Sequence, residues 1–578
     1  MLRPARYSAA MQYSVSDRKH FEADVSPDRR DASQSPDRSL GRVVSCSGAR
    51  ATIAATVFGP ALGPNNIWAV GRLISINLGE SRIVGMVYQM RVMNPGWEES
   101  GANAIGIEVE LLGEVVDRPD GSCRFQSGIS TYPPLGALAH RIRSRDLAAV
   151  HDLGGQEGAE IGTLSQDGAI PATVSVERLL SRHFAVLGTT GVGKSSAVAL
   201  LLRKAVAAKP NLRVLILDPH NEYAHAFPEN SVRIDAQTLD LPFWTFRFDE
   251  FADIVFRGRP LVEEEAEILR EVIAVARSRY RSGAAHDMAR DLGSSVLKRP
   301  LDLGARRPAE MGGAAGLAVP YRMVDLFAAI DELIGLHEQR YPRTALRSLR
   351  VRLETLHADP RYGFLFAHAN SIETIAPVIG QIFRVPHQGR RVTVFQLAGL
   401  PSEVVNAVAS SLARLAFDLA ISSRGGYEIL LLCEEAHRYV PHDPSLGFAP
   451  TRHAIARIAR EGRKYGAYLG IVTQRPGELD PTILSQCSTV FAMRLANDAD
   501  QQIIRAAIAD ASASTLAFLP SIGNREAIAF GEAVATTMRM RFLDQRPEEL
   551  PAMAGHGPGT AGRPEPGLEE LVARMRGL

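Results

Sequence analysis

HFAVLGTTGVGKSSAVALLLRKA, His183 to Ala205, sets a glycine-rich loop between an apolar run and an apolar helix-former run. Phe184–Leu187 reads as a short buried strand, and the stretch from Ala197 onward as a helix. Between them, Gly188-Thr189-Thr190-Gly191-Val192-Gly193-Lys194-Ser195 fits GxxxxGK[ST], with Ser196 next. Glycines let backbone N–H groups turn inward onto phosphate oxygens, and the helix that follows points its positive end at the same anion. In this pattern the lysine, Lys194, reaches the β- and γ-phosphates and the hydroxyl of Ser195 holds Mg²⁺. The expected ligands are therefore ATP and Mg²⁺, with Gly188 to Ser196 as the binding loop. A merely flexible loop would not require the strand–loop–helix order seen here.

Outward from the loop, RVLILD (Arg213–Asp218) completes a βαβ unit, the mark of a mostly parallel sheet. Strand character returns at RRVTVFQLAGL, EILLLCEE, AYLGIVTQ, STVFAMRL and EAIAFGEAVATTMRMRF. Between the two halves, LVEEEAEILREVIAVARSRY, RMVDLFAAIDELIGLHE and TALRSLRVRLETLHA carry apolar residues at helical spacing. They read as a helical insert, joined by a turn-rich, loose stretch beginning at Ser282. From Arg42 to Thr131, short alternating segments separated by Gly and Pro turns predict a small antiparallel barrel or sandwich, followed by a linker, GISTYPPLGALAHRI.

The fold class is thus α/β. The segments are a disordered tail (1–40), a small β-barrel (41–150), a first core part (151–244), a helical insert (245–385), a second core part (386–548) and a linker with a terminal helix (549–578). Met11 is a second possible start.

The composition excludes several classes. Of 578 residues, 46% are hydrophobic and 22% charged, which is globular, and the net charge of +1 takes no side on a nucleic-acid partner. The cysteines, Cys46, Cys123, Cys433 and Cys487, form no CxxC, so neither a zinc site nor a disulfide framework is expected. No run approaches the ~18 apolar residues of a membrane span, and the first residues lack a signal's apolar core. A cytoplasmic protein without a membrane anchor is expected.

A phosphate loop needs carboxylates that hold the metal and orient a water. The apolar run Ile429–Cys433 leads into Glu434 and Glu435, and alternation along a strand turns one toward the metal and the other toward the γ-phosphate. Glu434 is assigned to the metal and Glu435 to water activation. Asp218, at another strand end, is either a further carboxylate on the metal side or the cap of a turn. Gln474 ends AYLGIVTQ and either touches the γ-phosphate or its water or is an ordinary polar strand end. Arg457, Arg460, Arg463 and Lys464 in IARIAREGRKYG crowd one region with positive charge. Composition alone favours a solvated basic face over an arginine offered to a neighbouring subunit's nucleotide.

Together these motifs carry a resemblance. RLLSRHFAVLGTTGVGKSS, LDPHNEY, LPFWTF, VTVFQLAGLP, LLLCEEAH, REGRKYG and VTQRP stand in the order found in HerA-type ATPases, hexameric RecA-like DNA translocases related to FtsK. The resemblance runs from about residue 40 to 545. It implies that the amino-terminal barrel is a HAS-barrel and that the insert is the family's helical bundle. It also implies that Arg460 acts in trans across a subunit interface and that Arg182 acts near the nucleotide. Phe395-Gln396-Leu397 departs from the family, which usually has an aspartate in that strand. The implied activity is ATP-driven, helicase-type translocation on double-stranded DNA by a homohexamer. The implied partner is a NurA-like nuclease in end processing, or a nuclease or sirtuin-like NADase effector in antiphage defence. A scaffold ring that regulates an effector, or a conjugation or secretion ATPase, are the alternatives.

Overall fold

A computed structural model describes residues 39–58, 68–93, 96–97, 102–235, 238–239, 241–291, 319–335, 340–366, 375–507 and 518–551. The amino-terminal tail and the carboxy-terminal linker and helix expected from sequence lie outside the described residues. The chain forms two compact units, up to Val150 and from His151 onward.

In the first unit, β1 (Ser39–Ser47), β2 (Arg50–Phe58), β3 (Leu73–Asn77), β4 (Ser81–Val92), β5 (Ala102–Asp117), β6 (Cys123–Ser127) and β7 (Leu138–Arg141) form one sheet, ordered β2-β1-β7-β3-β4-β5-β6. The sheet closes because β5 pairs with β2 along Ala102–Glu110 while pairing with β4 on its other edge. Closure removes the free edges that an open antiparallel sheet would expose. Register shifts at Val84/Gly85 and Val87/Gln89 bend β4 around the curve. Ile53, Ile76, Ile83, Val87, Ile107 and Val109 fill the interior at zero exposure. The stretch read as a linker contains β7, which joins β1 to β3. Its Pro and Gly disguise a four-residue strand whose pairing partners are distant in sequence.

In the second unit, the strands are β8 (Ala159–Leu164), β9 (Pro171–Val174), β10 (Phe184–Leu187), β11 (Leu212–Asp218), β12 (Ser231–Ile234), β13 (Val392–Gln396), β14 (Glu428–Glu434), β15 (Ala467–Thr473), β16 (Thr489–Ala492), β17 (Glu526–Gly531) and β18 (Met538–Phe542). They form an eleven-stranded sheet ordered β12-β13-β11-β14-β15-β10-β16-β17-β18-β8-β9. From β12 to β16 neighbours run parallel; from β16 onward they alternate. Parallel strands covered on both faces are apolar throughout, and β11 is buried at every residue.

Between β12 and β13 lie helices Phe248–Phe256, Glu263–Asp291, Met323–Gly335, Arg343–Ala358 and Ala376–Phe383. The helix Glu263–Asp291 runs on through the stretch from Ser282 that was read as loose. Its Ala, Met and Arg are good helix formers and outweigh the single Gly there. The residues after it, to 318, lie outside the described ones. Ile268, Val272, Leu326, Ile330, Leu349 and Leu353 are fully buried and share one continuous core with the sheet. The helix Ser402–Ser423 is long and apolar enough to cross a membrane by composition, but 78% of its apolar window is buried inside this core.

Candidate active site

The parallel strands all end on the same side of the sheet, and the sequence-predicted loop leaves β10 there. In an open parallel sheet the crevice at these carboxyl ends is where ligands bind. Gly193 caps the helix Lys194–Ala208 with φ of 101°, a conformation that costs other residues. Gly188 is needed for a different reason: a Cβ there would sit 2.8 Å from the Cβ of Met493. The loop is anchored on both flanks. Thr189 N–H donates to the Arg494 carbonyl at 3.0 Å, and the Thr190 hydroxyl pairs with Gln474 Oε1.

Lys194 is buried and donates to the Thr189 carbonyl at 3.1 Å. Burial lowers its pKa, against the opposing pull of Glu434, Glu435 and Glu222. A desolvated ammonium facing carboxylates at the mouth of a glycine loop is poised for a polyanion. Ser195 Oγ donates to Glu222 Oε2 at 2.9 Å. Glu434, buried at the end of β14, accepts from Tyr223 OH at 2.6 Å. Burial pushes the Glu434 carboxyl up to about 8.

Glu435 follows in a left-handed conformation, φ 51° and ψ 50°. Such backbone costs a non-glycine residue roughly 1–3 kcal/mol and persists where the surroundings impose it. Its side chain is only 7% exposed. Oε2 lies 3.4 Å from His437 Nδ1, and Oε1 lies 3.8 Å from His220 Nε2. Neither is a hydrogen bond, and Oε2 is a buried acceptor with no hydrogen-bond partner among the described residues. An unsatisfied carboxylate oxygen in a crevice is what a proton acceptor for water requires.

Of the two roles expected for Asp218, the structure shows the cap of a turn. Its carboxylate accepts the backbone N–H groups of Tyr223 at 2.9 Å and His220 at 3.3 Å. It closes the turn after β11, while Glu222, from that same turn, accepts the Ser195 hydroxyl. The sequence reading passed over Glu222, although LDPHNEY contains it, because only the turn's closure shows which acid points inward.

Arg182 and Arg460 lie elsewhere. Arg182 precedes β10 and so stands at the end of that strand opposite the loop, roughly 13 Å away at 3.3 Å per residue. Its guanidinium pairs with Glu532. Arg460 ends the helix Ala449–Glu461 ahead of β15, on this same opposite edge. Neither reaches the phosphate loop of its own chain. Arg457 stacks 4.1 Å over the Phe417 ring and sits 3.8 Å from Asp418. Among the described residues the exposed Arg460 guanidinium makes one bond, from Nε to the Ala456 carbonyl at 3.3 Å.

His183 ties the segments that carry Arg182 and Arg460 together. Its Nδ1 accepts the Leu469 N–H at 3.0 Å, so Nε2 carries the proton donated to the Ala459 carbonyl at 3.0 Å. Burial holds the imidazole down to about 4. The unfolded chain, with an ordinary histidine near 6.5, binds protons that the folded ring refuses. The stability from this neutral ring is complete above pH 6.5 and is lost as pH falls toward 4, amounting to about 3 kcal/mol. Thermal melts from pH 7 to pH 4.5 should therefore fall more steeply for the natural chain than for His183→Asn, which tolerates the 61° φ there. Equal slopes would contradict the neutral ring.

Residues 159–416 match the family model described as helicase HerA, central domain. The chain is a P-loop ATPase similar to the HerA/FtsK type. It is similar to the DNA double-strand break repair helicase HerA of Pyrococcus furiosus, 26% identical over 510 residues, covering 81% of this chain and 86% of that one. The HerA helicase of Saccharolobus solfataricus is 25% identical over 414 residues, 70% of this chain and 71% of its own. Among solved structures, VirB4 of Thermoanaerobacter pseudethanolicus aligns with a TM-score of 0.46 at 16% identity, covering 68% of this chain and 97% of that one. The conjugative coupling protein TrwB aligns with a TM-score of 0.43 at 14% identity, covering 71% of this chain and 94% of its own. The residues matched to the HerA central domain span β8 through most of the helix Ser402–Ser423, and so include the phosphate loop and the helical insert.

Proposed function

We propose that this chain is the ATP-driven motor of a homohexameric ring that translocates on double-stranded DNA. The carrying observation is the separation of the phosphate loop and Arg460 to opposite ends of one sheet. A site needing both is complete only where another copy contributes the arginine. The similarity to HerA helicases supports DNA as the track, and the closed barrel of the first unit supports its assignment as a HAS-barrel.

In this reading Gly188 to Ser196 wrap the triphosphate of ATP with backbone amides, and Lys194 leaves the Thr189 carbonyl for the β- and γ-phosphates. Ser195, Glu434 and Glu222 present a hydroxyl and two carboxylates on one side of the loop. Among the described residues no three His, Cys, Asp or Glu side chains converge as a closed metal cage. This donor set fits Mg²⁺, whose remaining positions in such sites belong to phosphates and water. Mg²⁺ supplies neutralisation of phosphate charge. Glu435 takes the proton of the attacking water, Gln474 orients that water or the γ-phosphate, and Arg460 of the next copy stabilises the charge that develops. Arg182, on the same edge as Arg460, faces that next site with it.

DNA contacts of such a motor are made to phosphates, so binding is independent of sequence and weakens steeply with salt. A NurA-like nuclease, or a nuclease or sirtuin-like NADase effector, is the partner such a ring would serve. The test is turnover with and without duplex DNA. Stimulation by duplex that disappears at high salt is expected, and turnover indifferent to DNA would favour an effector-holding scaffold instead. Lys194→Ala should lose nucleotide binding by 100-fold or more, roughly what removing a buried charged contact costs, and with it all turnover. Retained binding, read by titration with ATP, would overturn the site.

A further inference from the structure

The sheet order places Glu434, Glu435 and Gln474 on one side of the phosphate loop, since β15 flanks β10 there and β14 lies beyond β15. On the other side stand β16 and β17. A triphosphate whose γ end faces Glu435 extends its α-phosphate and nucleoside toward β16 and β17. Two arginines stand on that side. Arg494 follows β16, its carbonyl spent on Thr189 and its guanidinium bonded to Asn524 at 3.0 Å. Arg525 immediately precedes β17. Its N–H donates to the carbonyl of Val192, inside the loop, at 2.9 Å. Its Cγ lies 3.5 Å from where a Cβ on Gly193 would be. The guanidinium is held by Asp544 at 2.5 Å, with the arginine side chain 47% exposed.

Arg525 also has a φ of 62°. Backbone economy alone selects glycine or asparagine at such a turn. Local stability therefore gives no reason for a long cationic side chain here. The ion pair does not supply one either, because both partners are substantially exposed and such pairs contribute little. What the position does provide is an arginine whose backbone is bonded to the loop itself and whose side chain leaves from the lip of that loop. Behind it, Gln545 Nε2 donates to the Ser196 carbonyl at 2.8 Å, so the segment after β18 is fastened to the same helix start.

We infer that Arg525 binds the α-phosphate end of the nucleotide in cis, with Asp544 orienting its guanidinium. The inference rests on the phosphate-loop reading and adds a binding residue to it. A planar guanidinium matches phosphate oxygens through paired hydrogen bonds, which a lysine does not. ADP and ATP both carry the α-phosphate, so the contact serves both equally. Arg460, by contrast, acts on the γ-phosphate of a neighbour's ATP.

The experiment measures ATP and ADP affinity on the full-length assembled protein with Arg525→Gly, Arg525→Lys and Asp544→Ala. Arg525→Gly should weaken both nucleotides by the same factor, about tenfold, with KM rising further than kcat falls. Its melting temperature without nucleotide should be unchanged or higher, because glycine relieves the left-handed turn. Arg525→Lys should recover only part of the affinity, and Asp544→Ala should lose a few-fold. Unchanged affinity in Arg525→Gly overturns the inference, as does loss confined to ATP, which would place the contact at the γ-phosphate. A lowered melting temperature that accounts for the weaker binding also overturns it, since that is a structural role. Lys194→Ala is run beside them: if it still binds nucleotide, the underlying site fails; if only the Arg525 variants bind normally, this inference fails alone.

Discussion

Glu435→Gln should bind ATP and hardly hydrolyse it, with turnover lowered by about 10²–10⁴, the usual contribution of a positioned proton acceptor. Glutamine keeps the size of the side chain and removes only its ability to take a proton. The fold should not suffer, because Glu435 Oε2 has no hydrogen-bond partner to lose. An amide at that position can instead donate toward His437 or water. The expected melting temperature is therefore that of the natural protein or slightly above, and single-turnover assays should show bound, uncleaved ATP. Turnover within a few-fold of normal would remove Glu435 from the role and leave its left-handed backbone and its buried Oε2, without a hydrogen bond among the described residues, unexplained.

Arg460→Ala should leave ATP binding intact and lower turnover by roughly 10³–10⁵, as loss of an arginine acting on the transferred phosphoryl does. The reason lies in where the side chain stands. It ends a helix on the far edge of the sheet, exposed, with one bond to its own helix, so truncation removes nothing from the chain's own loop. Mixing with Lys194→Ala chains discriminates further. An interface that takes its loop from an Arg460→Ala chain and its arginine from a Lys194→Ala chain is intact. In randomly mixed rings about a quarter of interfaces meet that condition, so part of the activity should return. Rings shown to be mixed that recover nothing would rule out donation across the interface. Full activity of Arg460→Ala would return the basic run to the solvated face that composition alone favours.

Much of this was legible in the residues. The loop, the buried strands and the Glu434–Glu435 pair depend on local order: apolar runs of the right length, glycines at fixed offsets, acids at a strand's end. Such features survive in one dimension because each is decided within a few residues. Asp218 and Glu222 show where that ends. Both are acids in one short turn, and their exchange of roles follows from which carboxylate the turn's own amides capture. The strand Leu138–Arg141 was hidden likewise, because its partners lie in β1 and β3, well away in sequence.

The chain order alone determined that a phosphate-gripping loop opens a helix in a parallel sheet interrupted by helices, since propensity, periodicity and glycine geometry are local properties. Only the tertiary structure decided that Glu222 meets Ser195, that Arg525 is bonded to the loop, and that Arg460 stands at the opposite end of the sheet from its own chain's loop. Those placements come from strand order and from which edge of the sheet each connection reaches, and long-range pairing sets both.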